Sequence, residues 1–269
     1  FWTALSGALL IHAGANLMNE HADHVSGADA AAARHTLMSG GSGVIQEGSL
    51  APDAVLGASL ACLAAGVSLG LYLNASLRGD FILLLGALGV FLAWSYSERP
   101  LQLGYRGRGI GELAVGVAFG PLPVLGGYYV QREALGLSAV TVSVPVALLI
   151  VLVLFVNGFP DMESDRAVGK RTLVVSLGVD KALALHTVLL VSAYASTAVL
   201  VLSGLLPPWC LVSMATAPIA WRAANRLRRG AERTREGQAY LLRAGAMAVA
   251  THFLFGLSLA AGLVVDRLV

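Results

Sequence analysis

Apolar runs of about 17 to 25 residues, separated by short polar segments, repeat along almost the entire chain. A helix satisfies its own backbone hydrogen bonds where no water is available, so each run predicts a membrane-crossing helix. Eight runs fit, at residues 1–18, 54–77, 81–97, 110–130, 138–156, 182–202, 207–221 and 239–265. The seventh is short and contains Pro218, which predicts a kink. Composition narrows the class: of 269 residues, 57% are hydrophobic and only 13% charged, with a mean hydropathy of +0.74. A soluble domain carries about a quarter charged residues, so the predicted fold is all-α, a polytopic transmembrane helical bundle forming one domain over residues 1–269. The 31 glycines are scattered without a three-residue period, as expected of closely packed membrane helices and not of collagen.

Charge placement orients the bundle. With these spans, every Lys and Arg except Arg78, Arg132 and Arg267 falls on one side, and every Asp and Glu except Asp80, Glu133 and Asp266 falls there too. Basic loops stay in the cytoplasm, so the polar chemistry is expected on the cytoplasmic face. A net charge of +2 gives no case for nucleic acid. Cys62 and Cys210 lie inside apolar runs, which argues against a disulfide framework or a thiolate metal site. The cluster from Arg222 to Arg235 suits anionic lipid. Nothing in the sequence sets an oligomeric state.

Two acidic constellations stand out. The first span ends in Asn16, Asn19, Glu20 and Asp23, spaced as one stripe on a helix, and Gly27 lets the chain turn so that Asp29 folds back toward Asp23. The fifth span ends in Asn157, Asp161 and Asp165, again four apart, with Glu163 pointing elsewhere. Carboxylates four apart repel and need cations. Oxygen ligands without cysteine suit hard cations, and Mg²⁺ typically takes one or two carboxylates plus substrate phosphates. The pattern is that of a diphosphate held through Mg²⁺ against two helix ends.

At these residues the chain resembles the UbiA superfamily of intramembrane prenyltransferases. Asn157, Asp161 and Asp165 followed by Gly169, Lys170, Arg171, Thr172 and Leu173 match the second motif of that family, and Asn19, Asp23, Gly27 and Asp29 resemble the first motif of its dihydroxynaphthoate (MenA-like) branch. Supporting similarity runs over residues 96–106, 111–122 and 126–131. The chain departs from the family at Glu20, His21 and His24, and in a longer loop from Tyr105 to Glu112. Family members have nine spans, so eight, with Phe1 in place of an initiator Met, lead to the expectation that an opening span is absent.

The resemblance implies transfer of a polyprenyl group from its diphosphate to an aromatic acceptor. Asp23, Asp161 and Asp165 would be catalytic. Asn19, Asp23, Asp29, Asp161 and Asp165 would ligate Mg²⁺, and Asn16, Arg34, Tyr96, Asn157, Lys170 and Arg171 would bind substrate. Lys170 and Arg171 fit equally well as positive-inside anchors. Tyr96 and Phe159 are candidates for shielding an allylic cation. Glu112 reads as a cap on the fourth span, His12 and His252 as hydrogen-bonded packing residues, and residues 40–48 as a cap over the site. The branch implies 1,4-dihydroxy-2-naphthoate as acceptor. Hydroxybenzoate, a chlorin, or a cation transporter of a different class are the alternatives, the last disfavoured because the acids sit at span ends and not at the bilayer midplane.

Overall fold

The computed structural model describes residues 1–31, 41–77, 79–231 and 235–269, which form helices joined by short turns with no strand among them. Helix α1 (Trp2–Ser26) runs through its apolar part and on through the first polar motif. It stops at Gly27, whose φ of 80° is a left-handed turn that glycine adopts at least cost. The short α2 (Ala28–Ala31) follows. Helix α3 (Pro52–Ala75) opens on a proline, tolerated there because a first-turn N–H has no helical partner to lose, and α4 (Phe81–Ser97) lies next.

Stretches long and apolar enough to cross a membrane are Pro52–Ala75, Ile110–Arg132, Leu137–Asn157, Val179–Leu202 and Gly237–Leu268, with Phe81–Ser97 a shorter apolar helix. Large side chains such as Leu71, Tyr72, Leu84, Val199 and Phe253 are exposed on their outer faces. In water this would be an error of design; against lipid chains it has no cost. The molecule is an integral membrane protein.

Three of the expected spans differ: residues 1–18 lie in α1, which carries its polar motif and is not among the stretches long and apolar enough to cross, and two others differ in detail. Residues 110–130 form two helices, α5 (Ile110–Phe119) and α6 (Pro121–Arg132), broken at Gly120. Pro121 cannot continue the α5 hydrogen-bond ladder, and Gly120 lies so close to Ala147 that a Cβ would fall 2.5 Å from Ala147 Cβ. The expected seventh span is a 3-10 segment (Pro208–Thr216), which gives way to α11 (Ala217–Gly230). Pro218 therefore sits in the first turn of a new helix and kinks nothing.

Packing places the site. α1 lies against α3 through small residues: Cβ atoms on Gly14 and Gly66 would each fall 2.7 Å from side-chain carbons of Leu63 and Ile11. α1 also touches α4, and α5 and α6 pack on α7 (Leu137–Asn157). α7 in turn packs on α10 (Val179–Leu202) and α12 (Arg235–Leu268). Leu149, Leu152, Phe255 and Leu259 lie in the core these last helices share. A second cluster, around Phe155, Met162, Val174 and Leu227, fixes the end of α7 where the acidic motif begins.

Candidate active site

The first polar motif is shaped by α1 itself. Asn19 and Asp23 are one turn apart, and the Asn19 amide donates to Asp23 Oδ2 at 2.9 Å. Asn19 Oδ1 accepts from Ser97 Oγ at 3.0 Å, which ties the stripe to the end of α4. The Tyr105 hydroxyl donates to Asp23 Oδ1 at 2.7 Å and lies 2.8 Å from Ser26 Oγ. Asp29, buried on α2, accepts from the Gln46 amide at 3.2 Å, and Glu20 accepts from the Ser42 N–H and hydroxyl. Ser42 and Gln46 thereby tie residues 41–48 to the first motif; residue 40 of the expected cap lies outside the described residues.

The second motif is not one continuous helix. α7 ends at Asn157, a turn runs through Gly158 and Pro160, and the short α8 (Met162–Ala167) starts after Asp161. Pro160 has no N–H to extend α7. The turn nevertheless delivers Asn157, Asp161 and Asp165 to one cavity of ≈ 60 Å³, room for a few waters, which Tyr96, Glu112 and Lys170 also line. Glu163 is exposed and points away. α2 packs against α8, so the two motifs meet at the same end of the bundle.

Lys170 joins them. Its ammonium is 3.2 Å from Asp23 Oδ2 and 3.5 Å from Asp165 Oδ1, and 5.3 Å from the centroid of the Tyr105 ring. Gly169, at φ 77°, turns the chain just before it. The segment from Tyr105 to Glu112 clasps the turn from outside: the Arg171 N–H donates to the Tyr105 carbonyl at 3.2 Å, and the Leu173 N–H donates to Glu112 Oε1 at 2.7 Å. Glu112 thus caps α9 (Leu173–Leu177) and not the start of its own helix.

Burial sets the electrostatics. Desolvation pushes the Asp165 carboxyl up to about 6; Lys170 pulls it back and the Asp23 charge raises it. Burial by itself would lower the Lys170 ammonium, but the Asp23 and Asp165 carboxylates outweigh it and raise it. Burial, followed by the Asp23 charge, lifts the Tyr105 hydroxyl well above its ordinary value.

The residues present fit a hard cation. Asn157 Oδ1 is buried without a hydrogen-bond partner on the wall of the cavity that Asp161 and Asp165 line, and an amide oxygen beside carboxylates is the donor set of Mg²⁺. Among the described residues no three carboxylate, imidazole or thiolate groups are gathered tightly enough to hold a metal; the ammonium of Lys170 stands between the carboxylates instead.

The sequence matches the UbiA prenyltransferase family over residues 1–252. This chain belongs to that family. Among curated relatives, the 1,4-dihydroxy-2-naphthoate octaprenyltransferase of Mycobacterium tuberculosis is 34% identical over 227 residues, 84% of this chain and 74% of the relative. The enzyme of the same name from Bacillus subtilis is 28% identical over 218 residues, 81% and 68% of the two chains. The 2-carboxy-1,4-naphthoquinone phytyltransferase of Synechocystis is 33% identical over 181 residues, 67% and 57%. No solved structure matches.

In this prenyltransferase, then, Asn19, Asp23, Tyr96, Asn157, Asp161, Asp165 and Lys170 gather at one end of the bundle. Asp29 is buried beside them on α2. Arg171 is exposed and outside the cavity lining, and Arg34 lies outside the described residues. Asn16 is exposed two turns below Asp23, bonded to His12. Phe159 is buried in the core against Phe155, ring centroids 6.1 Å apart, so it does not line the cavity; Phe155 does. Tyr105 and Ser97 belong to neither acidic motif, and Gln46 lies within the segment 40–48 expected as a cap. Each reaches the motif from a different element, and no local spacing announces such a contact.

Proposed function

We propose that this enzyme transfers a polyprenyl group from its diphosphate to 1,4-dihydroxy-2-naphthoate, the acceptor of menaquinone synthesis, in a Mg²⁺-dependent reaction on the cytoplasmic face of the plasma membrane. The observation that carries the reading is the meeting of two acid-bearing helix ends on one ammonium, Lys170, whose side chain is 13% exposed, at one end of an apolar bundle. The names of the relatives favour naphthoate over hydroxybenzoate or a chlorin, and family membership disposes of the transporter alternative.

Asn157, Asp161 and Asp165, with Asp23 and Asp29 from the first motif, would hold Mg²⁺, which supplies neutralising charge for a diphosphate when bound. Asn19 orients Asp23 through its amide, since its oxygen is taken by Ser97. As the allylic carbon–oxygen bond breaks, its electron pair goes to the diphosphate, and the Lys170 ammonium meets the growing negative charge through charge-assisted hydrogen bonds. The Arg171 guanidinium, exposed at the rim, guides the anion inward. Tyr96, Leu154, Phe155 and Val174 on the cavity wall keep water from the allylic carbon. The electron-rich ring carbon then forms the new bond and loses its carboxylate, while the isoprenoid tail lies among lipid-facing helices.

The test is a membrane preparation with one labelled prenyl diphosphate and a panel of acceptors: dihydroxynaphthoate, 4-hydroxybenzoate and a chlorin. Labelled product is expected with dihydroxynaphthoate and to vanish on chelating divalent metal. Product appearing with another ring alone would replace the acceptor assigned here.

A further inference from the structure

The α1 face that carries Asn19 and Asp23 continues downward into the membrane. His12, Asn16, Asn19 and Asp23 are spaced by four, three and four residues, which keeps all four side chains on one narrow strip of the helix. Three of them touch other elements. Asp23 meets Tyr105 and Lys170, Asn19 meets Ser97 of α4, and His12 meets the Phe119 ring of α5 edge-on, with centroids 4.9 Å apart and planes at 89°. The strip therefore faces the interior of the bundle. Yet Asn16, framed by those contacts, is exposed, and so is the remainder of His12. Their shared exposed surface, beside the Phe119 ring, makes an opening beneath the acidic site.

The chemistry of that opening is specific. Asn16 Nδ2 lies 3.3 Å from His12 Nε2. An amide nitrogen only donates, so Nε2 accepts and the imidazole proton is on Nδ1. Asn16 Oδ1 is left as an acceptor and His12 Nδ1–H as a donor, with no other partner for either among the described residues. Opposite, Pro121 and Pro123 have no N–H to offer the carbonyls of Val117 and Phe119, so α5 and α6 break where the His12 ring arrives. Polar groups at such depth are costly and are retained where they meet a partner. A lipid or isoprenoid chain offers no hydrogen bond. A hydroxyl on an aromatic ring offers both a donor and an acceptor, and its ring suits the Phe119 wall.

We propose that His12 and Asn16 bind a ring hydroxyl of the aromatic acceptor and thereby set which ring carbon faces the allylic carbon. The inference rests on the prenyl-transfer reading above. Along the helix Asn16 and His12 lie about 10 and 16 Å below Asp23 at 1.5 Å per residue. In 1,4-dihydroxy-2-naphthoate both hydroxyls share a ring with the carbon that bears the carboxylate, so fixing one hydroxyl there fixes the direction in which that carbon faces.

The experiment uses the full chain in lipid nanodiscs with Mg²⁺, labelled prenyl diphosphate and 1,4-dihydroxy-2-naphthoate, with 1-hydroxy-2-naphthoate and 4-hydroxy-2-naphthoate as competitive inhibitors. His12→Leu is expected to raise the acceptor KM about tenfold, the worth of a good hydrogen bond, and to leave the prenyl diphosphate KM within about twofold of the parent. One mono-hydroxy inhibitor, the one lacking the bound hydroxyl, should inhibit parent and variant equally. His12→Gln, which restores a donor, should recover most of the loss. If His12→Leu fails to accumulate, Asn16→Leu removes the acceptor half of the pair and should give the same pattern. An unchanged acceptor KM with normal transfer overturns this inference alone. A shift in prenyl diphosphate KM or chain-length preference overturns it by assigning the opening to the isoprenoid. A parent enzyme that transfers to no naphthoate overturns the acceptor reading as well.

Discussion

Lys170→Met keeps the length of the side chain and removes its charge. Asp23 and Asp165, 8% and 4% exposed, then face one another with no cation between them. Removing one partner of a buried ion pair costs about 3–5 kcal/mol. Tyr105 and Asn19 still donate to Asp23 and blunt the loss on that side, so the lower figure applies, about 3 kcal/mol or roughly 6–12 °C in the unfolding midpoint. The deficit depends on pH with a definite sign. Asp165 titrates near 6 in the folded protein against an ordinary value of 3.8, so the ionised form is the one that folding penalises. That penalty is absent below the ordinary carboxylate range and fully developed once pH has risen through about 6. Without Lys170 the crossover moves higher still. The deficit is therefore largest at neutral pH and shrinks as pH falls below about 6. Thermal unfolding in mild detergent, followed by thiol-dye labelling of the buried Cys210, reads it directly. Lys170→Met/Asp165→Asn should recover about half of the loss. A deficit equal at about pH 7 and about pH 5, or a double variant no better than the single, would refute this account of the site.

Asp161→Asn and Asp23→Asn should each lower transfer by at least about 100-fold; Asp161→Asn should still insert and unfold near the parent temperature, whereas Asp23→Asn, which takes a counter-ion from Lys170, should unfold at a lower one. Product formation and thermal unfolding measured side by side check this, and turnover above about a tenth of the parent at saturating Mg²⁺ counts against the assignment. The apparent Mg²⁺ affinity should weaken by up to about tenfold per pH unit as pH drops through about 6 and Asp165 takes up a proton; an affinity independent of pH removes Asp165 from the ligand set. Gly66→Val should cost about 1–3 kcal/mol, since a Cβ there lies 2.7 Å from Ile11 Cγ1 and 3.0 Å from the Gly7 carbonyl, whereas Gly70→Val, with open space around its Cβ, should not. Equal unfolding temperatures for the two variants would contradict the close packing of α1 on α3.

Hydropathy marks the five long apolar stretches and the shorter Phe81–Ser97, because lipid imposes one rule on every crossing segment, whereas residues 1–18 and 207–221, expected as spans too, do not stand among them. The α1 stripe was equally legible, since a helix fixes which residues share a face and α1 runs unbroken to Ser26. The second ladder was legible in outcome and not in form. Asn157, Asp161 and Asp165 share a cavity, but Pro160 breaks the helix between them, and the turn that replaces it is held by the core around Phe155 and Val174. The partner of Lys170 was missed. A cation after an acidic motif reads as a phosphate ligand, and only the fold brings it to Asp23, 147 residues earlier in the chain. Glu112 was misread for the same reason: its position in the first turn of α5 suggests a cap there, yet the backbone it caps belongs to α9.

The bond between Lys170 and Asp23 spans 147 residues of chain. At a synthesis rate of about 5–20 residues per second, Asp23 emerges roughly 7 to 30 seconds before its counter-ion exists. During that interval the nascent protein carries a half-built acidic pocket at the membrane surface, and helices α3 to α7 must thread into the bilayer around it. Biogenesis of this enzyme thus includes an electrostatic latch: Lys170 follows α1 to α8 and precedes α9 to α12, so a chain that ends before residue 170 carries the first motif without the ammonium that clasps it to the second.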